Sequence, residues 1–92
     1  MTNTAPADDD IFQFPCEFPI KVMGLNDDDF DSLVVTIVRR HAPDLSEGAV
    51  DLRTSRNGKY LAVSIVIRAT GRQQLDRIYR ELSAHERVMM VF

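Results

Sequence analysis

The spacing of apolar residues changes between two periods along the chain, and this change constrains the fold more than any other feature. Four segments alternate apolar and polar residues, which is typical of strands with one buried face. Two segments between them repeat apolar residues every three or four positions, which is typical of amphipathic helices. The strand-like positions are Phe18, Ile20 and Val22, then Val50, Leu52 and Thr54, then Leu61, Val63, Ile65 and Ile67, and finally Val88, Met90 and Phe92. The helix-like positions are Phe30, Leu33, Val34, Ile37, Val38 and His41, and then Leu75, Ile78, Tyr79 and Leu82.

Turn and cap signals separate these six segments. Asn57-Gly58 is a strong β-hairpin signal, because both residues tolerate positive φ. Pro43 ends the first predicted helix, since the residue before a proline is pushed out of the α region. Thr70 and Gln73 match a capping box at the start of the second helix. The resulting order is β-α-β-β-α-β with short connections.

This order predicts an α+β fold. Two amphipathic helices and four one-faced strands are satisfied most economically when both helices cover one face of an antiparallel sheet. We therefore predict a ferredoxin-like sandwich with four strands in the order 4-1-3-2. A chain of 92 residues allows one hydrophobic core, so we expect a single domain over residues 14–92. Residues 1–13 are predicted to form a disordered acidic tail.

Composition and charge argue against several kinds of partner. The formal net charge of -3 disfavours nucleic-acid binding, because recognition of phosphates needs a basic face. No apolar run approaches the roughly 20 residues that span a bilayer, and the N-terminus lacks the pattern of a secretory signal. Cys16 is the single cysteine, so no internal disulfide can form. We expect a cytoplasmic protein that binds neither nucleic acid nor membrane.

Three adjacent aspartates follow the first strand in the segment KVMGLNDDDF. We predict that Asn26 caps the first helix and that Asp27, Asp28 and Asp29 fill its first turn, where the helix dipole favours negative charge. Consecutive helical residues point about 100° apart, so three neighbours do not converge on one metal ion. The sequence therefore predicts no metal site, and a divalent ion held with help from elsewhere in the chain is the alternative.

Other residues that could carry chemistry have simpler interpretations. We predict that His41 packs at, or caps, the end of the first helix and that His85 is solvated in the turn before the last strand. Cys16 is expected to fill space as a small apolar residue. The loop after the first strand lacks the arginine that acylphosphatases use and the cysteine pair of heavy-metal chaperones. We predict no catalytic residue and no cofactor.

The hairpin between the second and third strands carries a basic cluster, Arg53, Arg56 and Lys59. A charged hairpin tip is usually solvated, and it protects an edge strand from aggregation. Contact with an acidic patch on a partner is the functional alternative.

Four segments together resemble the YbeD-like family of small bacterial proteins: FPIKVMG, RRHAP, SRNGKYLAVSI and VMMVF. The similarity covers about residues 14–92. The resemblance implies a ferredoxin-like domain similar to the ACT regulatory domains of amino-acid metabolism. ACT domains bind small effectors near the turn after the first strand, which in this sequence is Met23, Gly24, Leu25 and Asn26. Some family members are encoded beside genes of lipoate biosynthesis, so the resemblance points weakly to lipoate-linked metabolism.

The face of the sheet away from the helices is predicted to be unusually apolar. If the alternating residues named above form the core, the opposite set lies on this face. That set comprises Lys21, Met23, Tyr60, Ala62, Ser64, Val66, Met89 and Val91. Contiguous apolar patches of several hundred Å² tend to mark contact sites, so we expect a homodimer or an unknown protein partner here. The alternative is a monomer in which the stems of Lys21, Arg68 and Arg87 cover the apolar atoms.

Two functions are therefore expected. The first is a stand-alone, non-catalytic regulatory module of ACT-like form that senses a small metabolite. The second is a protein–protein interaction adaptor that binds through Met23, Tyr60, Ala62, Val66, Met89 and Val91 and takes no small-molecule ligand.

Overall fold

The computed structural model describes residues 13–92. The predicted tail, residues 1–13, therefore lies almost wholly outside the described residues. In chain order the elements are strand β1 (Cys16–Leu25), helix α1 (Phe30–His41), a 3₁₀ turn (Glu47–Ala49), strands β2 (Val50–Thr54) and β3 (Tyr60–Ala69), helix α2 (Arg72–Ala84) and strand β4 (Val88–Val91).

The four strands form one antiparallel sheet in the order β2-β3-β1-β4. This is the predicted 4-1-3-2 order seen from the other edge, and the ferredoxin-like α+β fold is confirmed. The two ten-residue strands, β1 and β3, occupy the centre and pair along their whole length from Cys16 with Ala69 to Leu25 with Tyr60. The shorter strands β2 and β4 form the edges.

The core lies between the sheet and the two helices. Alternate residues of β1 and β3 and the apolar stripes of both helices form one buried cluster. Its largest fully buried side chains are Phe30, Ile20, Ile65, Ile67, Ile78 and Leu82, with four valines between them. Burying one such side chain is worth roughly 1.5–3 kcal/mol, so this layer supplies the main stabilising term. No polar or charged residue within 13–92 is buried.

Gly24 lets α1 approach the sheet closely. A Cβ atom at this position would lie 2.5 Å from two carbon atoms of the Phe30 ring and 2.7 Å from the Arg87 carbonyl oxygen. Such distances are far below van der Waals contact, so a side chain at Gly24 would force the helix and β4 away. The turn between β1 and α1 is therefore filled by the chain itself.

Pro19 lies within β1, although a proline cannot donate to a strand ladder. Lys21 exchanges both of its backbone hydrogen bonds with Phe92, at 3.0 and 2.8 Å, on the β4 side of the strand. Pro19 has the same orientation as Lys21, so its nitrogen points to that side too. It lies beyond the last pair that β4 makes with β1, and its missing N–H interrupts no pair with β4.

The predicted helix starts are wrong in their capping residues. Helix α1 begins at Phe30 with Asp29 as its N-cap, so Asn26 is not the cap and Asp27 and Asp28 precede the helix. Asn26 instead donates from Nδ2 to the Gly58 carbonyl oxygen at 3.0 Å, which fixes the turn to the hairpin. The Asn26 side chain therefore bonds to the hairpin and not to the backbone N–H groups at the start of α1.

Helix α2 departs from its predicted start in the same way. It begins at Arg72, and the predicted capping box of Thr70 with Gln73 does not form. The Thr70 N–H donates to Oε1 of Gln74 at 2.8 Å, and Nε2 of Gln74 donates to the His41 carbonyl oxygen at 2.7 Å. Gln74 joins the start of α2 to the end of α1, which a local capping rule does not foresee.

The orientation of β4 corrects the predicted set of core residues. The register shifts by one residue next to Met23, so that Gly24 faces Val88 and Val22 faces Val91. A shift of one residue sends the following side chains to the other face of a sheet. Val91 therefore packs against the core, whereas Met90 and Phe92 lie on the side away from the helices. The assignments of Met90 and Phe92 to the core side and of Val91 to the opposite side are wrong.

Candidate functional site

The open face is the side of the sheet that the helices do not cover, and the strand register places its residues in rows. One row runs from β2 to β4 through Arg53, Ala62, Met23 and Met90. The next row runs through Asp51, Ser64, Lys21 and Phe92. Leu25 with Tyr60 closes the hairpin end of the face, and Pro19 with Val66 and then Glu17 with Arg68 close the other end.

Large apolar side chains are concentrated on the open face. Leu25 is 47% exposed, Val66 41%, Met90 50% and Phe92 55%. Their rows are adjacent, and Met23, Tyr60 and Ala62 lie half-buried among them. The β1 and β3 strands thus present apolar residues on both sides, and on the open side these alternate with the polar residues Glu17, Lys21, Ser64 and Arg68.

Most predicted residues of the interaction face lie where the sequence places them. Met23, Tyr60, Ala62 and Val66 share the open face. Met89 is 57% exposed at the irregular start of β4 and lines a groove with Leu25 and Tyr60. The sequence pattern missed Met90 and Phe92, because the shift in β4 has no glycine or proline to signal it. It missed Leu25 because this residue was assigned to the turn after the first strand and belongs to β1.

Of the predicted ligand-binding turn, Met23, Gly24 and Leu25 belong to strand β1 and Asn26 follows it, so the predicted position of the turn is wrong. Two of these residues line open grooves. Met23 lines a small groove of about 220 Å³ with Tyr60, Ala62 and Arg53 on the open face. Leu25 lines a larger groove of about 650 Å³ with Lys59, Tyr60, Arg87 and Met89. Beneath Gly24 the space is taken by the Phe30 ring.

Arg87 holds the aspartates at the start of α1. Its guanidinium contacts the Asp29 carboxylate through two hydrogen bonds of 2.8 and 3.3 Å and Asp27 through one of 3.3 Å. Hydrogen bonding and charge attraction from Arg87 lower the pKa of Asp29 below its ordinary value. Two of the three aspartates, Asp27 and Asp29, are therefore held by an arginine at the start of the helix. Among residues 13–92, no group of three or more His, Cys, Asp and Glu side chains could hold a metal ion.

The basic cluster of the hairpin is exposed at the end of the sheet. Arg53 lies on the open face beside Lys21, and Arg56 belongs to the turn. The Lys59 ammonium lies 5.4 Å from the centre of the Tyr60 ring, a distance typical of a cation–π contact. The cluster thus extends from the tip of the hairpin onto the open face.

The two histidines have structural partners. Nε2 of His41 lies 2.7 Å from Oε1 of Glu81, and Arg40 pairs with the same carboxylate, which joins α1 to α2. The hydrogen bond from His41 is the first cause of a lowered pKa at Glu81. Nδ1 of His85 accepts a 3.1 Å hydrogen bond from the Arg87 N–H, so this half-buried ring is not simply solvated as predicted.

Comparison with known proteins identifies the relatives of this chain. A UPF0250 protein of Chromobacterium violaceum is 48% identical over 82 residues, which are 89% of this chain and 92% of the relative. A UPF0250 protein of Azotobacter vinelandii is 50% identical over 80 residues, covering 86% and 87% of the two chains. A further relative, UPF0250 protein RSc0326 of Ralstonia nicotianae, is 40% identical over 98% of this chain and 93% of its own. None of these names states a catalytic activity.

A solved structure supports the fold. The solution structure of protein HP0495 from H. pylori covers 99% of this chain and 98% of its own, with a TM-score of 0.65 and 14% identity. No helix formed by the described residues has the length and apolar character needed to cross a membrane.

The family model described as "Protein of unknown function (DUF493)" matches residues 9–92. The resemblance to the YbeD-like proteins is thereby confirmed, and the chain belongs to this DUF493 family, whose bacterial relatives carry the name UPF0250.

Proposed function

We propose that this protein is a non-catalytic binding module that contacts another protein through its open sheet face. One observation supports this most directly. Leu25, Val66, Met90 and Phe92 are each more than two-fifths exposed, and all four lie on the single face without helices.

The energetic argument concerns the area that these side chains leave in water. Removing apolar surface from water is worth about 25 cal/mol per Å², so burial of a few hundred Å² contributes several kcal/mol to an association. Single exposed apolar residues are ordinary on a protein surface, whereas a contiguous patch between polar rims tends to be a contact site. The rim here is polar along the β2 edge, with Arg53 and Asp51, and at one end of the face, with Glu17 and Arg68.

The test compares two glutamate substitutions of equal chemistry on opposite sides of the sheet. Met90 is 50% exposed on the open face, and Leu52 is 47% exposed on β2 opposite Val63, on the helix side. Immobilised wild-type protein and the Met90→Glu and Leu52→Glu variants are used to capture proteins from an extract of the source organism. Each captured protein is then purified and its affinity for the three chains is measured.

The expected result is a partner that binds wild type and Leu52→Glu alike and binds Met90→Glu at least tenfold more weakly. A partner that binds Met90→Glu as well as wild type would place the contact elsewhere. Circular dichroism of all three chains serves as the control for folding.

A second candidate function is sensing of a small metabolite beside the β1–α1 turn. The 650 Å³ groove at this turn supports it, because Leu25, Tyr60 and Met89 give it apolar walls and Lys59 gives it a cation at the rim. The YbeD-like resemblance implies an effector near the same turn. Asp27, Glu86 and Arg87 also line the groove, so a metabolite with an apolar body and charged groups of both signs would fit it.

A thermal-shift screen of amino acids and lipoate-related compounds tests this second function. A ligand at 100 times its Kd adds about 2.7 kcal/mol to the free energy of unfolding, which raises the melting temperature by roughly 10–20 °C. A hit should be lost in a Tyr60→Ala variant and kept in Tyr79→Ala, a matched tyrosine on α2. A hit that survives Tyr60→Ala would place the ligand outside this groove.

A further inference from the structure

We propose that the occupant of the open face is a second copy of this chain, with the strands of the two copies running in opposite directions. The proposal rests on the proposed function of the same face and names its partner. It is carried by the distribution of charge along the strands, which makes the face complementary to itself.

One end of the open face carries a groove lined by carboxylates. The groove lies where the end of β3 and the start of β1 meet the loop before β2, and it has a volume of about 570 Å³. Glu17, Asp44 and Asp51 line it, and Arg68 is its one cation. We call it the acidic groove. Its charge is negative on balance, and the three carboxylates are exposed.

The other end of the open face carries only cations on the β2–β3 side. Lys21 and Arg53 line the 220 Å³ groove beside Met23 and Tyr60, and no acidic residue lines it. Arg56 and Lys59 follow at the tip of the hairpin, and both are exposed. Arg53, Arg56 and Lys59 thus form the basic end, whereas Lys21 lies in the same row as Asp51. The basic end and the acidic groove are separated along the strands by roughly four residues of β3, a distance of about 13 Å.

This separation selects one arrangement of two copies. If a two-fold axis lay between the sheets and parallel to the strands, the β2–β3 side of each copy would face the β1–β4 side of the other, so the basic end would not meet the acidic groove. If the axis lies between the two sheets, parallel to their planes and perpendicular to the strands, the basic end of each copy meets the acidic groove of the other. The same contact then occurs twice in the dimer. A two-fold interface uses the same surface on both copies, so a face with opposite charges at its two ends can satisfy itself.

The size of the face is sufficient for association. Two strands of ten residues, one of five and one of four, at about 3.3 Å per residue and about 4.8 Å between strands, give roughly 450 Å² in projection. Accessible area exceeds projected area on a surface of side chains, and the hairpin tip and the acidic groove add to it. The total approaches the ~800 Å² per partner of a standard interface. The apolar residues on either side of the Lys21 row supply the apolar part of the contact, and the charged ends supply the orientation.

Sedimentation equilibrium across micromolar to millimolar concentration tests the association. The expected result is a dimer whose dissociation constant rises at least tenfold in Met90→Glu and in the second open-face variant Val66→Glu. Leu52→Glu should dimerise like wild type. Arg53→Glu should weaken the dimer several-fold, whereas Arg80→Glu, the same charge change on α2, should not. Higher salt should weaken the wild-type dimer and shrink the difference between wild type and Arg53→Glu.

The relative direction of the two copies is tested with a spin label on the hairpin tip. A Cys16→Ser, Arg56→Cys chain carrying the label is mixed with ¹⁵N-labelled wild-type chain. In the proposed arrangement, the spin label broadens the amide signals of residues 44–51 in the ¹⁵N-labelled wild-type chain. Broadening confined to residues 55–60 would show hairpin against hairpin and overturn the proposal.

Two results separate this proposal from the proposed function on which it rests. A wild-type chain that stays monomeric at millimolar concentration would overturn the second copy as occupant. If such a monomer still binds a different purified protein in a manner lost in Met90→Glu, the proposed function holds with another partner. If neither a dimer nor such binding is found, both are wrong.

Discussion

The two sides of strand β3 place apolar side chains in very different surroundings. On the helix side, Leu61, Val63, Ile65 and Ile67 are at most 5% exposed. On the open side of the same strand, Val66 is 41% exposed between neighbours that are buried. The helices cover the apolar residues on the helix side, whereas no described part of the chain covers those on the open side. The contrast shows that packing against the helices explains the apolar residues on the helix side of the sheet. The apolar residues on the open side need a different explanation.

The largest expected effect compares two adjacent residues of β3. Ile65→Ala should lower the free energy of unfolding by about 2–5 kcal/mol, because it leaves a cavity in a fully packed layer. Val66→Ala should lower it by less than about 1 kcal/mol, since the side chain already lies in water. Urea denaturation of both variants provides the measurement. Equal losses would mean that the open side is also covered in the monomer.

A second prediction concerns how tightly the helix side is packed at the β1–α1 turn. Gly24→Ala should cost about 1–3 kcal/mol, because its Cβ would overlap the Phe30 ring and the Arg87 carbonyl oxygen. Gly48→Ala is the matched control: a Cβ there meets nothing within 4 Å, and the change should stay within about 0.5 kcal/mol. Thermal unfolding followed by circular dichroism distinguishes the two. A neutral Gly24→Ala would show that α1 can move away from the sheet without cost.

The shift in β4 gives a third comparison between the two sides. Val91 packs against the core and Met90 is exposed on the open face. Val91→Ala should therefore destabilise the protein by about 1 kcal/mol and Met90→Ala by a few tenths, although methionine is the larger side chain. Denaturant titrations of the two variants decide the matter. If Met90→Ala were more destabilising than Val91→Ala, Met90 would lie on the core side, as the unshifted alternation of the sequence predicts.

The smallest effect concerns the exposed clamp of Arg87 on Asp29. Arg87→Gln should raise the pKa of Asp29 toward its ordinary value, because the hydrogen bonds and the positive charge are lost. The folded-state pKa of Asp29 is lowered, so its stabilising contribution is present above the ordinary aspartate pKa of about 3.9 and is lost as the pH falls below that value. NMR titration of the Asp29 carboxyl group in both proteins measures the shift. An unchanged pKa in Arg87→Gln would assign the shift to the helix start instead.

The fold could be predicted from the sequence because the periodicity of each segment agrees with its neighbours. Ile65 and Ile67 are buried and Asn57-Gly58 turns with Gly58 at a φ of 75°, as local rules require. The caps could not be predicted, since Asn26 and Gln74 bind partners 32 and 33 residues away. The side of the sheet on which Met90 lies could not be predicted either, because the register shift depends on how β4 pairs with Met23 and Gly24. Most residues predicted for the interaction face therefore lie on the open face, with Val91 assigned wrongly and three apolar residues missed, and binding through this face stays a prediction.

Radical footprinting of methionine oxidation tests most directly whether the open face is covered by another protein. Met89 and Met90 are 57% and 50% exposed, and the thioether is a sensitive probe of access to solvent. Their oxidation rates are measured in dilute purified protein and in a concentrated extract of the source organism, with Tyr79 on α2 as the internal reference. Contact through the open face predicts several-fold slower oxidation of Met90 in the extract at an unchanged rate for Tyr79. Equal rates for Met90 under the two conditions would contradict it.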